Sequence, residues 1–387
     1  MDHNRNRDLD KLRAFAVLFV MIVHFPRLKS MVPVLDPWSG VDLFFVISGF
    51  IVAKTFCRKI DENNALYSTT HAKIIYSVSF YIKRFFRLTP PVLAALLFYF
   101  AASFVIVGST FFTSFAWKEE VFAIFTYQYN FFAAFRSESF LTWHWSLSAE
   151  EQFYALFPLF IFLIPGDRNR FAIAIFIILF LTFVARPYGL LFINTSPGNM
   201  YLPQFRSDGL IYGIIVFLIT RRTWNNSINP VFLKKRVSAI LSSTLLLGAV
   251  ALAPKLSFST NSAIFTIGIL SAVLVWISSF DQDYIFPTKI SFVESTLNWI
   301  GTRSYGIYLL HVPIIRIQNI LFEKFSTLFF AIPYFAKFIL MIGSLVFFTE
   351  LMYRLVEMPL QKIGNRIASS FFLRNNNSKH LNDPTVF

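Results

Sequence analysis

The chain has 387 residues, of which 56% are hydrophobic, 14% charged and 50 are phenylalanine, and its mean hydropathy is +0.58. These values exclude a soluble domain on a single anchor and indicate a polytopic membrane protein. The net charge of +14 does not call for nucleic acid, because membrane proteins concentrate Lys and Arg on the cytoplasmic side, and the single cysteine, Cys57, excludes an internal disulfide framework and a multi-cysteine metal site.

A span needs about 20 mostly apolar residues. On that basis the sequence predicts an all-α transmembrane bundle of about ten spans, at 10–28, 41–57, 90–109, 147–165, 171–192, 204–220, 237–254, 262–280, 301–321 and 331–355. The start is polar and no small-residue cleavage site follows the first apolar run, so that run reads as a span and not as a leader. The stretch 121–135, between Lys118 and Arg136, is too short to cross and is expected to be re-entrant or interfacial. Lys and Arg then fall mainly on one side, including the basic loop 221–236, which puts both termini in the cytoplasm. Residues 1–360 read as one membrane domain and 361–387 as a polar, disordered tail.

Ionisable residues inside or beside spans mark functional sites by default. His24 closes the first span and Asp42 opens the second, after a turn-rich link. Antiparallel neighbours bring these ends together, where a carboxylate would fix the imidazole tautomer and raise its basicity. Lys83, Arg84 and Arg87 share one arc of a basic amphipathic helix. Thr89, Pro90 and Pro91 then predict a fresh helix N-terminus, so guanidinium forks and a helix end form a phosphate site, with anchoring to anionic lipid as the rival reading.

The run WHWSLSAEEQFY at 143–154 places His144, Glu150 and Glu151 at the mouth of a span. Ser146, Glu150 and Tyr154 share a face, and Glu151 points about 100° away. Trp145 suits either an interfacial belt or the site. Arg206 opens the sixth span and is expected to pair a carboxylate within the bundle, to grip a polar substrate, or to pair with Asp208. His311, followed by Pro313, reads as structural, and Arg354 with Glu357 as an i, i+3 pair. No metal-ligand spacing stands out.

In order along the chain, these blocks resemble the acyltransferase 3 family of integral membrane O-acyltransferases. They are LDKLR at 9–13 leading to His24, GVDLFFVISG at 40–49, KRFFRLTP at 83–90, WSLSAEEQFY at 145–154, RSDG at 206–209 with Gly213, Gly301 through His311 and Pro313, and YRLVEMP at 353–359. The resemblance implies a multi-pass enzyme of the bacterial inner membrane that moves an acyl group, most often acetyl, from a coenzyme A thioester to a hydroxyl of a surface carbohydrate. It implies that His24 is the span-one histidine, that Arg84 and Arg87 serve the acyl donor, and that Glu150 or Glu151 is the motif glutamate. Lys83 stands where many members have arginine. The esterase-like domain that follows in some members is not part of this sequence, which favours a stand-alone enzyme working on a lipid-linked or exported glycan.

The expected mechanism has His24, oriented by Asp42, acting as general base, with Glu150 as the third catalytic residue. Lys83, Arg84 and Arg87 hold acyl-CoA, a co-substrate and not a resident cofactor. Glu151, Arg206 and Trp145 meet the carbohydrate acceptor. Arg13, His311 and Glu357 are left to structural roles. The lipid bilayer is the remaining partner, nucleic acid is not one, and the sequence does not set the oligomeric state. An acyl-histidine relay is the other chemical route. A proton-coupled transporter or flippase is the competing class, since it too needs intramembrane His, Asp and Glu, although no internal repeat is seen.

Overall fold

A computed structural model of the chain describes residues 5–62, 69–108, 116–136, 139–188, 201–326 and 332–380. Among the described residues the regular structure is helical, with no strand. Among the described residues, seven helices are long and apolar enough to cross a membrane: Gly40–Arg58, Thr70–Val107, Asp167–Tyr188, Arg236–Leu256, Thr260–Ser279, Ser304–Lys324 and Tyr334–Asn375. The other three expected spans fall on helices as well, Arg7–His24, Trp145–Leu163 and the shorter Asp208–Thr220. The chain is a multi-pass, all-α membrane protein. Residues 109, 189–192, 331 and 381–387, which belong to three expected spans and to the tail, lie outside the described residues.

The helices are α1 (Arg7–His24), α2 (Pro26–Met31), α3 (Gly40–Glu62), α4 (Thr70–Val107), α5 (Trp117–Phe125), α6 (Tyr129–Phe135), α7 (Trp145–Leu163), α8 (Asp167–Phe180), α9 (Pro203–Arg206), α10 (Asp208–Thr220), α11 (Arg236–Leu256), α12 (Thr260–Ser279), α13 (Ser291–Thr302), α14 (Ser304–Lys324), α15 (Tyr334–Met352) and α16 (Met358–His380). They divide between two compact units, residues 1–54 with 115–308, and residues 55–114 with 309–387.

In the first unit, glycines set how closely helices approach. A Cβ on Gly49 of α3 would lie 2.0 Å from the Leu210 carbonyl oxygen of α10, and one on Gly213 would lie 2.3 Å from that of Val46. Only bare backbone fits this crossing, the small-residue contact that membrane helices use. A Cβ on Gly301 of α13 would meet the Asp10 oxygen at 2.0 Å, so α1 lies directly on α13. The start of α1 is tied to the 281–285 segment. Asp8 accepts from the backbone of Tyr284 (2.9 Å) and Ile285 (3.2 Å), and buried Lys11 pairs with Asp283. Arg13 bonds Asp10 at 2.7 Å.

The stretch 121–135 is not one helix. It breaks between α5 and α6 at Tyr127, whose φ is +55°, and neither piece is long enough to cross. The polar edge of the pair turns inward. Buried Glu120 accepts from the Tyr129 hydroxyl (2.8 Å) and from the backbone N–H of Phe140 and Leu141 (both 2.7 Å). Asn130 and Gln152 exchange two amide bonds of 3.0 Å, and Gln152 also donates to the Tyr127 carbonyl at 2.6 Å. The hairpin thereby braces the start of α7.

The second unit corrects two expectations. Helix α4 runs unbroken through Pro90 and Pro91, so no new N-terminus opens there; its N-terminus is at Thr70, capped by Thr69. The prolines remove only the amides that would have bonded the Phe86 and Arg87 carbonyls, a loss that membrane helices tolerate. The segment 361–380, expected to be disordered, is helix α16, joined to α15 through a π-turn at Tyr353–Glu357. It packs on α4 closely enough that a Cβ on Gly364 would lie 2.4 Å from the Phe86 Cβ. The π-turn also moves the expected pair: Arg354 bonds Glu350 (2.6 Å) and not Glu357, because the wider turn spoils i, i+3 spacing. Glu357 and His311 are both buried.

Candidate active site

A buried ionisable cluster of the first unit forms where α3, α7 and α9–α10 meet. Arg206, at the end of α9, lays its guanidinium on the Asp42 carboxylate in a two-point fork, Nε to Oδ1 at 3.0 Å and Nη2 to Oδ2 at 2.7 Å. Both side chains are buried. The guanidinium carbon lies 4.6 Å from the Trp38 ring centroid and 5.2 Å from that of Trp145. A planar, weakly hydrated cation suits this setting, which an ammonium would not fill. Trp145 also stacks on Tyr201, with centroids 5.2 Å apart at 25°, and meets the edge of Phe45.

Asp208, two residues after Arg206, pairs elsewhere. Its Oδ2 accepts from Arg186 at 2.9 Å, and Arg186 also reaches Thr182 Oγ1 (3.0 Å) and the Leu181 carbonyl (3.3 Å), in the π-turn that continues α8. Arg186 and Asp208 are each 1% exposed. Two acid–base pairs thus stand side by side within electrostatic reach, in alternating charge. Burying ions is costly, and each pair survives because the partner and further hydrogen bonds offset desolvation.

Glu150 lies on the next face. Its carboxylate accepts from the Tyr154 hydroxyl, one turn on. Ser146, one turn back, bonds the Tyr308 hydroxyl at 2.6 Å, and that hydroxyl donates to the Trp143 carbonyl at 2.9 Å. Glu150, Arg206 and Tyr201 all lie within electrostatic reach of Tyr308. Ser146, Glu150 and Tyr154 therefore form the shared face that helical spacing implies. Glu151 is partly buried on α7. His144 is 2% exposed, donates from Nδ1 to the Leu141 carbonyl at 3.1 Å, and burial holds its pKa down to about 4. It is a neutral brace of the turn that leads into α7.

His24 ends α1 and is exposed. Its Nδ1 lies 2.9 Å from the Val20 carbonyl oxygen. A carbonyl only accepts, so Nδ1 carries the hydrogen and the basic lone pair stands on Nε2. The ends of α1 and α3 do meet: a Cβ on Gly40 would lie 3.1 Å from the Val20 nitrogen. The expected His24–Asp42 bond is not made. Both Asp42 oxygens go to Arg206, a two-point partner that outcompetes a single imidazole N–H. The tautomer is set by the helix backbone instead.

Lys83, Arg84 and Arg87 belong to the second unit, half-buried along α4, with Arg84 lying over the Phe80 ring at 5.4 Å. Among the described residues no group of three or more His, Cys, Asp or Glu is placed to hold a metal ion. The sequence reading missed Trp38, Tyr201, Tyr308 and Glu120. A tryptophan inside the turn 36–40 and the acidic pair beside the stretch 121–135 were the available signals; none marked Tyr201 or Tyr308.

Among curated proteins, the peptidoglycan O-acetyltransferase OatA of Listeria monocytogenes is 27% identical over 379 residues, covering 92% of this chain and 56% of that protein. A putative O-acetyltransferase of Staphylococcus aureus is 27% identical, covering 92% of this chain and 57% of its own length. The putative peptidoglycan O-acetyltransferase YrhL of Bacillus subtilis is 26% identical, covering 93% and 56%. The chain thus spans a little over half the length of these relatives. No solved structure matches. A family model described as an acyltransferase domain matches residues 6–354, nearly the whole chain, and the protein belongs to the acyltransferase 3 family.

Proposed function

We propose that this protein is an O-acyltransferase of the bacterial cytoplasmic membrane that moves an acetyl group from acetyl-coenzyme A to a hydroxyl of a cell-surface glycan. The observation that carries this reading is the buried Arg206–Asp42 fork held between Trp38 and Trp145, beside Glu150. Flat aromatic faces beside fixed polar groups suit a pyranose ring, which presents apolar C–H faces and equatorial hydroxyls. The relatives named as peptidoglycan O-acetyltransferases make peptidoglycan the first acceptor to try.

In this reading Nε2 of His24 takes the proton of the acceptor hydroxyl. The oxygen attacks the thioester carbonyl carbon, the C–S bond breaks, and coenzyme A leaves as the thiol with that proton. General base catalysis of this kind contributes about 10²–10⁴-fold. Glu150 and Arg206, with Trp145 and Glu151, orient the sugar, and Asp42 acts by holding Arg206. Lys83, Arg84 and Arg87 offer three cations to the phosphates of coenzyme A. The test is mass spectrometry of the host's surface glycans with the protein, without it, and with His24→Ala. An acetyl mass difference that disappears in both the deletion and the variant supports the reading. Unchanged acetylation with altered glycan export would replace it with a carrier.

A further inference from the structure

The α5–α6 hairpin is built inside out. Glu120, Tyr129 and Asn130 are buried on its inner face, whereas Phe122 and Phe135 on the outer face are 69% and 70% exposed. The outer face carries a shallow, open groove of about 710 Å³ lined by Phe122, Phe131, Phe132 and Phe135. Lys118 and Arg136 line the same groove, near its chain ends, together with Glu119. Each cation is seated on an aromatic ring, Lys118 over Trp117 at 5.7 Å and Arg136 over Phe132 at 5.2 Å. A surface that merely faces hydrocarbon needs the phenylalanines and no cations. Nor does the inward bias of basic residues account for this pair, since this stretch reads as outer-side in the span order.

We infer that this groove binds one anionic phospholipid, its phosphate between Lys118 and Arg136 and the start of its chains along Phe122, Phe131 and Phe135. Among the described lining residues two cations stand against one carboxylate, which leaves a net charge of +1 to match a phosphodiester. The volume takes a headgroup and the beginning of its chains, with the remainder in the bilayer. Bound lipid would steady the hairpin whose other face holds Phe140 and Leu141 through Glu120.

The test is native mass spectrometry of the purified full chain in detergent with phosphatidylglycerol or phosphatidylcholine, for the wild type and for Lys118→Gln/Arg136→Gln. The wild type should retain one phosphatidylglycerol in preference to phosphatidylcholine, and the preference should weaken as salt is raised. A basic side chain at an anionic lipid surface contributes about fivefold, so losing both should reduce retention roughly 30-fold. Both side chains are exposed, so without added lipid the variant should melt with the wild type. Equal retention of the two lipids by the wild type, or a preference that survives in the variant, overturns the assignment.

Discussion

Arg206→Lys keeps the charge and removes the shape, so it isolates what the fork and the two indoles contribute. An ammonium reaches one Asp42 oxygen where the guanidinium reaches two, at 3.0 and 2.7 Å. The lost charge-assisted bond is worth about 1.5–3 kcal/mol. The contacts at 4.6 and 5.2 Å to Trp38 and Trp145 also weaken. Each is worth up to about 1 kcal/mol, and with their weakening the cost is roughly 1.5–5 kcal/mol for a substitution usually called conservative. Equilibrium unfolding of the purified protein in mixed micelles measures it directly. The same substitution in an Asp42→Asn background should cost less by at least about 1.5 kcal/mol, because the ionic part of the fork is already gone. A cost below about 1 kcal/mol, or an equal cost in both backgrounds, would refute the pairing.

Three further outcomes follow from the same geometry. Gly49→Ala, which drives a Cβ to 2.0 Å from the Leu210 oxygen, should destabilise by about 1–3 kcal/mol or more and abolish transfer, while Gly248→Ala, with nothing within 4 Å, should be neutral or stabilising by about 0.5–1 kcal/mol in the same melts. Glu120→Ala strands the amides of Phe140 and Leu141 and the Tyr129 hydroxyl, a loss of at least about 3 kcal/mol that hydrogen exchange should register first at residues 140 and 141. His144 binds its proton less readily in the fold, at about pH 4, than in the opened chain, where the usual value is about 6.5. Its contribution to stability is therefore complete above pH 6.5 and is lost as pH falls toward 4, so the melting temperature should drop across that window and drop less in His144→Asn.

Much of this architecture was legible in the sequence because the bilayer imposes a simple rule: long apolar runs become helices. The rule failed where proline usually ends a helix. Pro90 and Pro91 stay inside α4, since opening a helix within the bilayer would strand further backbone groups with no water to bond them. It failed again at 361–380, where polar composition concealed the packing of Gly364 on Phe86. In the site, spacing along one helix was reliable, and Ser146, Glu150 and Tyr154 share the expected face. Partner choice between helices was not. Asp42 and His24 are neighbours by loop length, yet Asp42 takes Arg206, 164 positions away. Arg206 leaves the adjacent Asp208 to Arg186. Such pairings are decided by crossing geometry at Gly49 and Gly213, which leaves no periodic trace in the chain.

The proposed reaction is transfer from a thioester with His24 as base. Its most direct test is acetyl release from radiolabelled acetyl-coenzyme A to an added glycan by the purified full chain in proteoliposomes. The wild type should yield base-labile glycan label and free coenzyme A in equal amounts, and His24→Ala should lower both about 10²–10⁴-fold with unchanged melting. Transfer by His24→Ala at the wild-type rate, or a wild type that consumes no thioester, would contradict the account.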